Sequence, residues 1–166
     1  MRPLLALLPL LALLAASGVH AESAVNAEPL FVATLADLDD KPAVMAAYKG
    51  KPLIVNFWAR WCAPCREEIP ELIKARVRYK ARGLEVIGIG IEDKAEAVRE
   101  FAKAYEMDYA IVLAKDKGLP LMQALGNTRA GLPFTVAIDR KGNVVAMKLG
   151  VMRKADIEAA AEAALK

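Results

Sequence analysis

Cys62 and Cys65 are the only cysteines in the chain. They close the run Val-Asn-Phe-Trp-Ala-Arg-Trp-Cys-Ala-Pro-Cys over residues 55–65. An apolar strand feeding straight into a helix puts the first thiol where the helix dipole and unpaired backbone N–H groups favour a thiolate. Two thiols so placed can exchange between dithiol and disulfide. A structural bridge normally closes a long loop; one this short would constrain the unfolded chain little. Glu68 follows three residues after Cys65, so on a helix the two side chains are neighbours. By helical phase Glu68 flanks the apolar face near Leu72, while Glu67 points outward. Partial burial would raise its pKa and let it carry the proton that Cys65 must lose. The competing reading is a solvated carboxylate that favours the helix N-terminus.

The elements that must hold these residues follow from 166 residues, one domain's worth. Met1-Arg2-Pro3, the Leu/Ala-rich run over 4–16 and Val19-His20-Ala21 form the three parts of a secretory signal. The apolar run is short of the roughly 20 residues that a membrane span needs. Cleavage after Ala21 is therefore expected, with an uncleaved membrane anchor as the alternative. No cysteine stands near the cleavage site to take a lipid. Cleavage leaves about 145 residues, enough to bury a core without staples. It removes the sole histidine, His20, which disfavours a Cys–His protease and a histidine-based metal site. The formal charge of +3 is spread among interspersed acids and bases, with no nucleic-acid or polybasic membrane patch.

Residues 22–30 read as a flexible lead-in, and the domain proper as 31–166. A short strand over 31–35 and a short helix over 43–48 come first. Residues 53–58 read as a buried strand, followed by a helix over about 63–80 with Ile69, Leu72, Ile73 and Val77 on one face and a kink at Pro70. Residues 84–91 form a near-continuous apolar run, a strand covered on both faces. Gly88 and Gly90 project to one side, marking a close approach. Asp93 is placed to cap the next helix with Glu96 three residues on. Val98, Phe101, Ala102 and Tyr105 make that helix's apolar stripe. A strand over 110–113, a helix over 119–125, a hairpin of 134–138 and 143–149, and a helix over 154–165 with Ile157, Ala161, Ala164 and Leu165 inward complete the chain. Such alternation implies one central sheet with helices on both faces, right-handed crossovers and an antiparallel edge. Ligands of such sheets sit beyond the carboxyl ends of the strands, where Trp61 and Cys62 fall.

The strand ending in Trp-Cys-Ala-Pro-Cys, with Gly131-Leu132-Pro133 before the hairpin, resembles the thioredoxin fold. The Glu68 position, the Glu-Ile-Pro after the cysteines and the secretion signal resemble the TlpA/ResA-like thiol-disulfide oxidoreductases. The resemblance runs from about Phe31 to the end and accounts for the helix and strand over 91–113 as an insert. It implies that Cys62 is the nucleophile, its sulfur facing solvent, and Cys65 the deeper resolving thiol. It implies a cis peptide before Pro133, packed beside the cysteines, and a Leu132 backbone that pairs with bound peptide as an added strand. Thioredoxin's buried aspartate is replaced here by Asn56, which leaves Glu68 as the substitute base. Phe134 stands where thioredoxin usually has Thr. Trp58 reads as a core aromatic, and Trp61 is balanced between substrate platform and packing residue.

The function implied is exported, periplasmic disulfide reduction of proteins, supplied with electrons by a membrane thiol donor of the DsbD type. Apocytochrome c and a metal-site assembly factor are the candidate substrates. The chain is expected to be a monomer, with no cofactor beyond the Cys62–Cys65 pair and no metal, and to meet a membrane only if the signal is retained. One alternative is a thiol oxidant of the DsbA type, disfavoured because Ala63-Pro64 resembles the Gly-Pro of reducing thioredoxins. Another is a non-enzymatic Cu(I) carrier holding metal between the two thiolates. Met107, Met122, Met147 and Met152 lack the clustering that a carrier would add, and read as core fillers.

Overall fold

The computed structural model describes residues 25–92 and 94–166. The expected signal over 1–21 and the Asp93 cap lie outside the described residues. Seven strands form one mixed sheet: β1 (Thr34–Ala36), β2 (Pro42–Val44), β3 (Leu53–Trp58), β4 (Glu85–Gly90), β5 (Ala110–Leu113), β6 (Phe134–Ile138) and β7 (Val144–Leu149). Their order is β2-β1-β5-β4-β3-β6-β7. The β3–β4–β5 centre is parallel, and β6 and β7 add antiparallel to its other side. β3 is buried along its whole length, as its unbroken apolar run requires.

Successive residues of a strand face opposite sides, so the sheet splits its core in two. Ile54 and Trp58 of β3 face α2 (Ala63–Tyr79), α3 (Ala95–Ala104) and α5 (Lys154–Ala164). Leu53, Val55 and Phe57 face α1 (Glu28–Phe31), a 3-10 turn at Met45–Tyr48 and α4 (Gly118–Ala124). The insert is present as α3 and β5. β5 pairs with both β4 and β1 and so bridges the parallel centre to the β1–β2 hairpin.

The structure corrects several expectations. The lead-in is not flexible from Val25 onward: Asn26 bridges Asn143, and Ala27 and Leu30 are fully buried. Those two apolar side chains dock the segment on the core. The first strand starts at Thr34 because Phe31 closes α1. On α2 the buried stripe is Cys65, Glu68, Ile69, Leu72, Ala75 and Tyr79, while Val77 is 64% exposed. Val77 lies about 140° around the helix from Leu72 at 100° per residue, so its phase outweighs its apolar character. Tyr105 is likewise outward at 37% exposure and stacks on Phe101 at 4.3 Å. Of the four methionines weighed above as soft ligands, Met107, Met122 and Met152 are core fillers, but Met147 is 44% exposed.

Candidate active site

β3 ends at Trp58, and the chain turns through Ala59, Arg60 and Trp61 into α2. Cys62 is the N-cap of that helix, with extended backbone angles and a sulfur that accepts the N–H of Cys65 at 3.2 Å. Pro64 sits in the first turn, where a missing N–H costs nothing. The two sulfurs form a disulfide with a Cα–Cα separation of 5.3 Å. Cys62 is 6% exposed and Cys65 wholly buried. The expected solvent-facing sulfur is thus largely covered in the disulfide form, because bonding to Cys65 Sγ and accepting the Cys65 N–H turn it toward the helix end. The order of accessibility, Cys62 before Cys65, is kept.

Glu68 is buried, which excludes the solvated-carboxylate reading. Asn56 Nδ2 donates to its Oε1 at 2.5 Å, and the backbone N–H of Met152 donates to its Oε2 at 2.9 Å. Burial pushes its pKa up to about 7, against the pull of those two hydrogen bonds and of the Lys148 charge. A carboxyl one helical turn from Cys65 is therefore poised to exchange a proton near neutrality. Asn56 also donates to Thr135 Oγ1 at 2.9 Å, so the amide ties β3, β6 and α2 together.

The Leu132–Pro133 peptide is cis. Phe134 pairs with Phe57, so this loop lies at the same end of the sheet as the cysteines. Gly150 N–H donates to Pro133 O at 2.8 Å, and Asn127 Nδ2 to Gly131 O at 2.9 Å, fixing the loop from both sides. Trp61 is 69% exposed, in contrast to Trp58, which is fully buried with Phe101 at 5.2 Å. Arg60 holds the loop beneath Trp61: its N–H and its Nε both donate to Glu92 Oε2 at 3.1 Å. No group of histidine, cysteine and carboxylate residues able to hold a metal occurs among the described residues.

A family model described as Redoxin matches residues 23–165. The chain belongs to the redoxin family. This redoxin is 34% identical over 131 residues to a thiol-disulfide oxidoreductase ResA of Bacillus cereus, covering 78% of this chain and 72% of that protein. It is 33% identical to ResA of Geobacillus kaustophilus, covering 78% and 71%. Among solved structures it resembles a thiol:disulfide interchange protein of the thioredoxin family from Chlorobium tepidum. That match has a TM-score of 0.70 and 30% identity, over 81% of this chain and 93% of the other. The fold is thus the thioredoxin fold with an added helix and strand, and the redoxin is a ResA-like thiol-disulfide oxidoreductase.

Sequence reasoning placed Cys62, Cys65, Glu68, Trp61, Leu132 and Pro133, and the fold gathers all six at one end of the sheet. It missed Thr135, Asn127 and Met152, which hold Asn56, the proline loop and Glu68 in place. Thr135 carried a usable signal: it is two residues past Pro133 in an otherwise apolar strand. The Met152 contribution is a backbone N–H and has no signal in residue type.

Proposed function

We propose that this redoxin is an exported reductase of protein disulfides, working through the Cys62–Cys65 pair. The observation that carries this reading is the Cys62–Cys65 disulfide at the start of α2, with the carboxyl of Glu68 buried one turn beyond Cys65. In the reduced enzyme the helix N-terminus favours the Cys62 thiolate. That thiolate attacks a substrate disulfide, forming a Cys62–substrate bond and expelling the substrate's other sulfur as a thiolate, which takes a proton from solvent. Glu68 accepts the proton of Cys65. The Cys65 thiolate attacks Cys62 sulfur, reforms the Cys62–Cys65 disulfide and releases the second substrate thiolate. Two electrons pass from enzyme to substrate, and the pair is itself the redox group, without a bound cofactor or metal.

The Leu132 backbone would receive the substrate as an added strand beside Pro133, with Trp61 as an aromatic platform. Residues 1–21 act as the export signal, the enzyme works in the periplasm as a monomer, and a membrane dithiol donor of the DsbD type returns the electrons. Its substrates are exported proteins with oxidised cysteines, such as apocytochrome c or a metal-site assembly factor. The test is trapping with Cys65→Ser, which cannot resolve the mixed disulfide. Exported proteins held covalently on Cys62, absent with Cys62→Ser and released by dithiothreitol, are the expected result. A midpoint potential well above that of the substrate disulfides would overturn the reductive direction, since about 30 mV is a factor of ten for this couple.

A further inference from the structure

The sheet face beneath α2 carries one transverse polar row. Lys148 of β7 stands opposite Thr135 of β6, and Thr135 opposite Asn56 of β3. On the far side Asn56 is opposite Gly88 of β4, and Gly88 opposite Ile111 of β5. Asn56 joins the row to Glu68 by donating to both Glu68 and Thr135. Lys148 is the one charged member of the row. Its Nζ is 2.7 Å from Asp156 Oδ2, and the same oxygen accepts the Arg153 N–H at 2.9 Å at the start of α5. Between Lys148 and Asp156, the turn donates the Met152 N–H to Glu68 Oε2. One short stretch of chain, 148–156, thus supplies Glu68 with a backbone donor and places an anchored ammonium at the end of its polar row.

We propose that Lys148 is a positioning residue of the proton step: anchored by Asp156, it favours the ionised form of Glu68 and so sets the pH range in which Glu68 can take the proton of Cys65. This rests on the base role given to Glu68 above. An opposite charge nearby lowers a carboxyl's pKa, and Lys148 acts on Glu68 in that sense. Few other groups compete for this task. On α2 the titratable neighbours are Cys65 and, three residues on, Glu71, whose carboxylate is paired with Lys74 at 2.6 Å. β3, β4 and β6 present Asn56, Gly88 and Thr135, which do not ionise. Ahead of β5, Tyr109 is a buried phenol whose own ionisation is pushed upward by burial and then by Glu68 and Asp108. From α5, Asp156 is already engaged by Lys148. Behind the hydrogen bonds from Met152 and Asn56, the ammonium is the charge that opposes the burial of Glu68.

Lys148→Met keeps the length and apolar stem while removing the charge; Lys148→Arg keeps the charge. The carboxyl of Glu68 is followed by carbon-13 NMR in the oxidised protein. The rate of mixed-disulfide resolution is followed against pH in the reduced one. Lys148→Met should raise the Glu68 midpoint by about half a unit, a partly screened interaction of opposite charges. It should carry the acid limb of the rate profile upward by the same amount, and leave the alkaline plateau unchanged. Lys148→Arg should restore both. An unchanged midpoint in Lys148→Met, or an arginine variant that behaves like methionine, overturns the proposal. Should Lys148→Met not fold, Lys148→Gln carries the same expectation. Glu68→Gln separates the two readings: if its acid limb persists, the base role of Glu68 fails. If that limb vanishes while Lys148→Met leaves the midpoint in place, only the role of Lys148 fails.

Discussion

Asn56 Nδ2 lies 2.5 Å from Glu68 Oε1, a hydrogen bond that joins the centre of β3 to the helix bearing the cysteines. An amide donates here without titrating, so Glu68 is the one group of this pair that exchanges a proton. Asn56→Asp would set two carboxyls at hydrogen-bond distance inside the core. Such a pair shares one proton and titrates in two coupled steps, the upper displaced well above that of an isolated carboxyl. The variant should lose about 1–3 kcal/mol of stability, the cost of an unmade buried hydrogen bond, and more at pH 8 than at pH 5. Denaturant unfolding at the two pH values measures this.

Glu68 also gives the oxidised protein a pH-dependent stability. Its folded pKa of about 7 lies above the ordinary value of 4.5, so the folded state holds the proton more tightly than the unfolded chain. Its contribution is fully present below pH 4.5, falls as pH rises toward 7, and is flat beyond. The interval corresponds to about 3 kcal/mol. Glu68→Gln, which removes the ionisation, should match the wild type at pH 4 and exceed it in stability by up to that amount at pH 8. A constant difference across the range would show that folding leaves the Glu68 pKa at its ordinary value.

Gly88 is where β4 lets two aromatic side chains meet. A Cβ there would stand 3.0 Å from Trp58 Nε1 and 3.1 Å from Tyr109 Cε2. Gly88→Val should cost about 1–3 kcal/mol through overpacking. Because the added side chain presses on the indole, it should also perturb the fluorescence of the buried Trp58. Calorimetry together with the emission spectrum checks both.

Trp61 offers the opposite case, a large aromatic 69% exposed on a loop anchored by the Arg60–Glu92 contacts. Trp61→Ala should leave stability within about 0.5 kcal/mol, as expected of a surface substitution. Loss of an aromatic contact worth about 1.4 kcal/mol should raise KM for a protein disulfide roughly tenfold. Equal KM for both forms, with a lowered melting temperature, would make it a packing residue.

Most of the sheet was legible because its strands are written in residue type: the apolar run of β3, the Gly88 approach and the turn over 139–142 need no tertiary information, whereas β2 (Pro42–Val44) runs into the stretch 43–48 that was read as a helix. Glu68 was legible because spacing from Cys65 and helical phase both place it inward. Val77 misled by being apolar at an outward phase, and Cys62 by being the more reactive sulfur without being openly exposed. What stayed hidden depends on pairings across the sheet. Lys148 meets Thr135, and Thr135 meets Asn56, only once β6 and β7 have found their register, a relation between residues up to 92 positions apart in the sequence. The N-terminal segment was misjudged for a similar reason, since Ala27 and Leu30 look ordinary until the second core face receives them.

The bridge between Asn26 and Asn143 fixes where the polypeptide enters the fold. It lies at the turn between β6 and β7, whereas Phe134 and Leu149 at the other ends of those strands flank the proline loop. Entry point and disulfide therefore occupy opposite poles, separated by the length of a six-residue strand, about 20 Å. Were a leader retained ahead of Val25, the reactive pole would point away from its attachment, toward whatever protein approaches from the aqueous side.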